Sequence, residues 1–433
     1  MEMKFKMMKM MMMLALTLLL LVSGSFVAAN QELRRKKQIL PPAASSSATK
    51  VGSSVVFRVL GNVYPIGYYY VEMGIGYPPK RYYLDIDTGS DLTWLHCDAP
   101  CKNCPKAPHP LYRLNKNSLV PCAESVCAEL HSLEKNICKK PTDQCHYKIQ
   151  YADQGVSQGA LVKDVFPIRL TNGTLVGPRF AIGCGYDQQG SKGTTSPTDG
   201  LLGLGKGKAS FVSQLQNLGL VRNVFGHCFS GNSGGFLFIG EDLVPSSGIV
   251  WTPMSRNSID ESYYSPGPAE LYLGKQYIGV KGLQVIFDSG SSYSYFNTQA
   301  YKAIISSMMK DLSGKPLEIT KDGTLPICWR GAKPFTSFSE VKKYFTPLTL
   351  RFKSGWRSQQ QMEIPPESYM IISKYGNACL GILNGTEVGL QDDNIIGDNF
   401  FQDRVVIYDN EKQKIGWALA DCNRISKSGV VLL

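Results

Sequence analysis

Two short stretches carry residue types from which chemistry can be built. Leu84-Asp85-Ile86-Asp87-Thr88-Gly89-Ser90 leads apolar residues into an Asp, a hydroxylated residue and a Gly, and 201 residues later Val285-Ile286-Phe287-Asp288-Ser289-Gly290-Ser291 does so again. Each reads as a buried strand entering a tight turn. Gly89 and Gly290 supply backbone freedom, and Thr88, Ser90, Ser289 and Ser291 supply hydroxyls for a neighbouring carboxylate. If the turns face each other, Asp87 and Asp288 come together, and two carboxylates at about 3 Å share one proton rather than both ionising. The ionised one can take a proton from water while the protonated one donates to a carbonyl oxygen. That is general acid–base hydrolysis of an amide, with no call for a metal, a cofactor or a covalent intermediate. Two unrelated surface turns would not each follow an apolar strand, because a buried Asp needs a partner.

The elements that must position these turns follow from pattern. Residues 68–75 and 82–86, separated by Gly76-Tyr77-Pro78-Pro79, predict a hairpin feeding Asp87. Residues 145–151 and 160–170 predict another around Ala152-Asp153-Gln154-Gly155. Short helices are expected at 123–130, 209–218 and 298–312, the second with Phe211, Val212, Leu215 and Leu218 on one face. Strands are expected around 236–239, 269–280, 393–397 and 404–409. Leu201-Leu202-Gly203 ends 116 residues after Asp87, and Ile395-Ile396-Gly397 ends 109 residues after Asp288. Both halves thus repeat strand, Asp turn and apolar-apolar-Gly in one order, which predicts an internal duplication: two similar β lobes with a cleft between them. With 42 Gly and 24 Pro in 433 residues, 43% of them apolar, an all-β dominated chain with two cores is expected.

The N-terminus reads as a targeting segment. Lys4, Lys6 and Lys9 precede the apolar run 10–22 and the small residues of 23–29, so 1–29 is a signal peptide and 30–54 a basic, then Pro/Ala/Ser-rich, pro-segment or linker. The apolar run is short for a membrane span, so no stable membrane insertion is expected after cleavage. The formal charge is +11. Much of it lies in this segment and in Arg34-Arg35-Lys36-Lys37, and no basic block stands beside aromatics, which argues against nucleic acid as a partner. Twelve cysteines behind such a signal imply disulfides rather than half a zinc site at Cys97, Cys101 and Cys104. Asn172-Gly173-Thr174 and Asn384-Gly385-Thr386 are N-glycosylation acceptors.

Taken together, Gly67-Tyr68-Tyr69-Tyr70, residues 84–94 from Leu84 to Trp94, Cys97-Asp98-Ala99-Pro100-Cys101, Asn223-Val224-Phe225-Gly226-His227-Cys228 and Trp251-Thr252-Pro253-Met254 resemble the pepsin-type aspartic proteases, and among them the plant nucellin-like group. The resemblance implies a bilobal pepsin-like fold of two β-barrel-like lobes, 55–230 with a Cys-rich insert and 231–433, with a few short helices and a central cleft. It also implies an acid endopeptidase, sensitive to pepstatin, whose dyad is Asp87 and Asp288 and whose partner is an extended peptide or protein substrate. Tyr151 matches the flap tyrosine and Trp94 the tryptophan that hydrogen-bonds it. Ser90 matches the hydroxyl beside the first Asp, and Thr88 and Ser289 the pair that lock the turns. Ala152 replaces the usual Gly after the flap tyrosine. The resemblance further suggests the pairs Cys97–Cys101, Cys104–Cys184, Cys122–Cys145, Cys127–Cys138, Cys228–Cys422 and Cys328–Cys379. A monomer, secreted to the cell exterior or to the vacuole, is expected. The competing reading is a catalytically weak relative that binds or inhibits another protein, and an intact dyad argues against it.

Overall fold

The computed structural model describes residues 53–99, 104–131, 138–152, 154–189, 198–255, 263–354, 358–426 and 429–433. The signal peptide, nearly all of the pro-segment, Cys101 and Asp153 therefore lie outside the described residues.

The fold is mostly β and bilobal. A fourteen-strand sheet has Val224–Phe229, Gly235–Ile239 and Val55–Asn62 at its middle. It continues one way through Tyr68–Ile75, Lys80–Asp87 and Gly200–Gly203, and the other way through Arg404–Asp409 and Lys414–Ser426. Val224–Phe229 and Arg404–Asp409 are buried at every position, including the polar His227, Arg404 and Asp409. Tyr68–Ile75 instead alternates between covered and open positions. The boundary expected at 230/231 falls in the turn between two adjacent antiparallel strands of this sheet.

A second sheet holds the other Asp turn. Leu283–Phe287 pairs with Pro268–Leu273 on one side and, in parallel, with Asn394–Ile396 on the other. The first half does likewise: Lys80–Asp87 runs parallel to Gly200–Gly203, with Leu202 opposite Ile86. Both apolar-apolar-Gly motifs are thus the parallel neighbours of the Asp strands, a pairing that needs a long crossover in each half.

Some elements differ from expectation. The helix Phe211–Asn217 buries Phe211, Val212 and Leu215, but Leu218 is its C-terminal cap and is exposed, because the helix ends one residue before that position joins the face. The strand expected over 269–280 is a hairpin, Pro268–Leu273 and Gln276–Tyr277, turned at Gly274 with φ +56°. Pro167 interrupts the strand expected over 160–170, which ends at Val165, as a residue without an N–H must.

Four of the six expected disulfides are corrected or fall outside the described residues. Cys97 bonds Cys184, not Cys101, with Cα atoms 5.1 Å apart. The strand Trp94–His96 lies parallel to Arg179–Gln189 with Leu95 opposite Cys184, so a residue 87 positions away is the spatial neighbour. Cys104 is disulfide-bonded, but not to Cys184. Cys122 bonds Cys138, and Cys127 bonds Cys145. The helix Ser125–Leu130 carries Cys127 into an apolar cluster with Cys145, Tyr147 and Leu161, which leaves Cys122 to the loop. Cys228–Cys422 and Cys328–Cys379 are found as expected.

Candidate active site

Asp87 ends its strand and is buried, while Asp288 is partly exposed at the mirror position. The turns interlock through four hydrogen bonds. Thr88 N donates to Ser289 Oγ at 3.1 Å and Ser289 N to Thr88 Oγ1 at 3.0 Å. Thr88 Oγ1 donates to the Phe287 carbonyl at 3.0 Å, and Ser289 Oγ to the Ile86 carbonyl at 2.8 Å. Each hydroxyl therefore both donates and accepts across the two turns, which pins residues 201 apart in sequence.

The glycines explain themselves by proximity. A Cβ on Gly89 would lie 2.6 Å from Asp288 Oδ1, and one on Gly290 would lie 2.6 Å from Asp87 Oδ1. Each carboxylate therefore sits over the opposite turn. Gly203 and Gly397 work in parallel fashion: a Cβ on them would meet the carbonyl oxygens of Asp91 at 2.3 Å and of Tyr293 at 2.3 Å. The apolar-apolar-Gly motif thus lets each neighbouring turn pack against it.

The symmetry ends at the carboxylates. Asp87 accepts from Gly89 N at 2.7 Å and from the Ser90 hydroxyl. Asp288 accepts from Gly290 N at 3.0 Å, but Ser291 Oγ turns away to the Tyr293 carbonyl, 3.1 Å distant. Ser291 shapes its turn and does not support its carboxylate, contrary to expectation. Burial raises both acids, yet the Ser90 and Gly89 donors oppose this at Asp87, whereas the Asp87 charge adds to it at Asp288. The donors at Asp87 favour its ionised form, and the neighbouring Asp87 charge disfavours ionisation of Asp288.

Over the dyad lies the hairpin of His146–Gln150 and Val156–Val165. Trp94 Nε1 donates to Tyr151 Oη at 2.7 Å, and Asp87's charge, after burial, pushes that phenol up. Tyr151 and Trp94 are therefore brought to the dyad as expected. Ala152 is exposed, so its extra methyl meets solvent. Beneath the hairpin the Tyr147 ring fills space that Gly159 and Gly183 leave open, a Cβ on either lying 2.6 Å from that ring.

Two further acids join the cluster. Asp85 is raised well above the usual carboxylate range by burial and then by Asp87 and Asp288. Asp398 is raised by burial and then by Asp85, Asp288 and Asp87, and its Oδ1 is buried without a hydrogen-bond partner. Strand alternation places Asp85 on the face of Asp87, two residues on, a signal present in sequence. Asp398 has no such signal, because the matching position after Gly203 is Leu204. Of the glycan acceptors, Asn172 lies on an exposed turn. Asn384 is buried, with its amide accepting from Thr298 and donating to Glu387. The folded chain holds the Asn384 amide in these bonds, whereas Asn172 stands in the open.

Comparison with known proteins agrees with this geometry. Residues 69–241 match the family described as "Xylanase inhibitor N-terminal", and residues 273–418 the one described as "Xylanase inhibitor C-terminal". An aspartic proteinase of Oryza sativa subsp. japonica is 44% identical over 87% of this chain and 93% of its own length. Aspartic proteinase 39 of Arabidopsis thaliana is 28% identical over 83% of this chain and 75% of its own. Among solved structures, basic 7S globulin from soybean superposes with a TM-score of 0.65 at 18% identity, covering 84% of this chain and 96% of that one. Conglutin gamma from lupine seeds superposes with a TM-score of 0.64 at 16% identity, covering 84% of this chain and 94% of that one. At such identities these two show the shared fold alone.

Proposed function

The chain belongs to the plant family of pepsin-like aspartic proteinases, and on that premise we propose that it is an active endopeptidase of the nucellin-like kind, cleaving extended peptide or unfolded protein at acidic pH. The observation that carries this reading is the unequal hydrogen-bond support of two carboxyls that face each other across interlocked turns. Asp87, ionised, accepts a proton from a water lying between the acids, and the hydroxide attacks the scissile carbonyl carbon. Asp288 donates its proton to the carbonyl oxygen, so that a neutral tetrahedral diol forms. Collapse of the diol breaks the C–N bond: Asp87 gives its new proton to the leaving nitrogen, and Asp288 regains a proton from the diol hydroxyl. Tyr151, held by Trp94, covers the site and limits water access.

A binding or inhibitory role is the rival reading, favoured by the names of the two matched families. Both carboxyls and all four locking hydrogen bonds are present, which supports turnover instead. The disulfides suit an oxidising compartment, and with the N-terminal segment they support passage through the secretory pathway. Peptide-library cleavage by the purified mature protein, from pH about 3 to about 8, tests the proposal. Pepstatin-sensitive cleavage on the acid side is expected, and a folded protein with no cleavage at any pH would overturn it.

A further inference from the structure

The flap hairpin carries a second tyrosine that the hydrolytic steps above do not use. Tyr147 lies on the strand His146–Gln150, and alternation carries its face on to Tyr151, four residues later. Tyr147, Ser157 and Gln188 are all buried. Tyr147 Oη and Ser157 Oγ share a hydrogen bond of 3.1 Å, and Gln188 Nε2 donates to Ser157 Oγ at 3.0 Å. The three groups come from three adjacent strands. Ser157 stands opposite Ile149 on one side and opposite Gln188 on the other. One residue further on, between Gln158 and Gly159, the register of Val156–Val165 against Arg179–Gln189 shifts. Such a bulge is where a sheet bends.

The Tyr147 ring also reaches across the sheet to the tryptophan that holds Tyr151. A Cβ on Gly183 would lie 2.6 Å from that ring and 2.8 Å from Trp94 Cβ, so the two side chains close round one point above Gly183. A Cβ on Gly185 would lie 3.0 Å from Tyr147 Oη and 2.5 Å from Gln188 Nε2. Gly183 and Gly185 stand opposite Trp94 and His96 in parallel register. They leave a channel through which Tyr147 runs beside Trp94, whose indole donates to Tyr151 at 2.7 Å.

We propose that Tyr147, Ser157 and Gln188 are positioning residues for the flap: their hydrogen-bond chain ties the hairpin to the sheet at the bulge, so that Tyr151 meets Trp94 in one geometry. This rests on the proteolytic reading of the same site.

The need for a tether follows from topology. His146–Gln150 is the last strand of its sheet and pairs only with Val156–Val165. Backbone bonds on one side fix its register and leave its tilt about the bulge to side chains. An apolar ring at 147 would fill the same space, but dispersion contacts have little directional preference. A hydrogen bond is directional, falling off steeply with angle, and burial makes a lost partner costly. Burial also pushes the Tyr147 phenol up, so the chain keeps its protons throughout the acid range.

Tyr147→Phe keeps the ring and deletes the tether. Its kcat/KM should fall about tenfold, mainly through KM, because a covering flap contacts the peptide before and during the reaction alike. Adding Tyr147→Phe to Tyr151→Phe should cost nothing more, since one acts through the other. Gln188→Met, which cuts the far end of the chain at equal length, should have the same effect to a smaller extent. A second readout is the NMR signal of the Trp94 indole N–H, assigned by its disappearance in Trp94→Phe. It should move in Tyr147→Phe and in Gln188→Met, toward its position in Tyr151→Phe. An unmoved indole signal, or additive losses in the double variant, would overturn the assignment and leave Tyr147 as packing alone. Should Tyr147→Phe not fold, Gln188→Met carries both readouts. The indole signal needs no substrate, so a wild type that cleaves nothing would sink the proteolytic reading while the signal still decides this one.

Discussion

The turn at Asp87 and the turn at Asp288 share a backbone and differ in charge. Thr88 and Ser289 make the same pair of bonds in opposite directions, and Gly89 and Gly290 each admit the other turn's carboxylate. Duplication explains this much. The difference begins one residue later: Ser90 donates to Asp87, whereas Ser291 donates to a carbonyl of its own turn. One hydroxyl rotated away from its carboxylate is enough to give two equivalent acids unequal proton affinity. A symmetric scaffold brings the acids together, and a small local asymmetry assigns their roles.

The bluntest way to break the comparison is to remove either acid. Asp87→Asn and Asp288→Asn should each lower kcat by at least about a thousandfold with folding retained, as read by circular dichroism beside peptide cleavage. Substantial residual turnover in either would end the dyad assignment. Next in size, Gly89→Ala and Gly290→Ala should each cost about a hundredfold in kcat/KM, since the new Cβ displaces the opposite carboxylate. A loss in only one would show that the turns approach each other less evenly than their geometry indicates.

The sharpest test of the asymmetry is Ser90→Ala against Ser291→Ala. Losing the Ser90 donor should raise Asp87, move the acid limb of the profile upward and cost about tenfold in kcat at low pH, while Ser291→Ala should leave that limb in place. Equal shifts would refute the division of roles. The smallest effect is on stability. Asp288 is raised in the folded chain, so the native state binds the extra proton between the unfolded carboxyl pKa, near about 4, and the folded value. Stability should therefore fall as pH rises through that window. Asp288→Asn should flatten that part of the melting-temperature profile, and an unchanged slope would mean that Asp288 does not hold the proton.

The dyad was legible because its signal is local and doubled. Strand, Asp, hydroxyl and Gly occur together within seven residues, twice, and the apolar-apolar-Gly partners follow in order. Helix and strand positions were mostly legible from the same short-range patterns. Where they slipped, at Leu218, Gly274 and Pro167, a cap, a positive φ or a missing N–H ended an element that apolar periodicity alone would have continued.

Everything that depends on which strands become neighbours was decided only by tertiary structure. Cys97 finds Cys184 because two strands lie in parallel register, a relation that spacing along the chain does not encode. Asn384 carries an acceptor motif yet is buried by the packing of its own lobe. The same holds for charge. Asp398 reads as one acid among thirty-five acidic residues until the crossover brings it against Asp85 and the dyad. The side to which Ser291 turns its hydroxyl is set by the Tyr293 carbonyl beside it. By itself the sequence determined which groups could do chemistry, since residue type and local backbone are properties of short stretches. Their protonation and pairing were settled by desolvation and by contacts between residues far apart in the chain, and these exist only once it is folded.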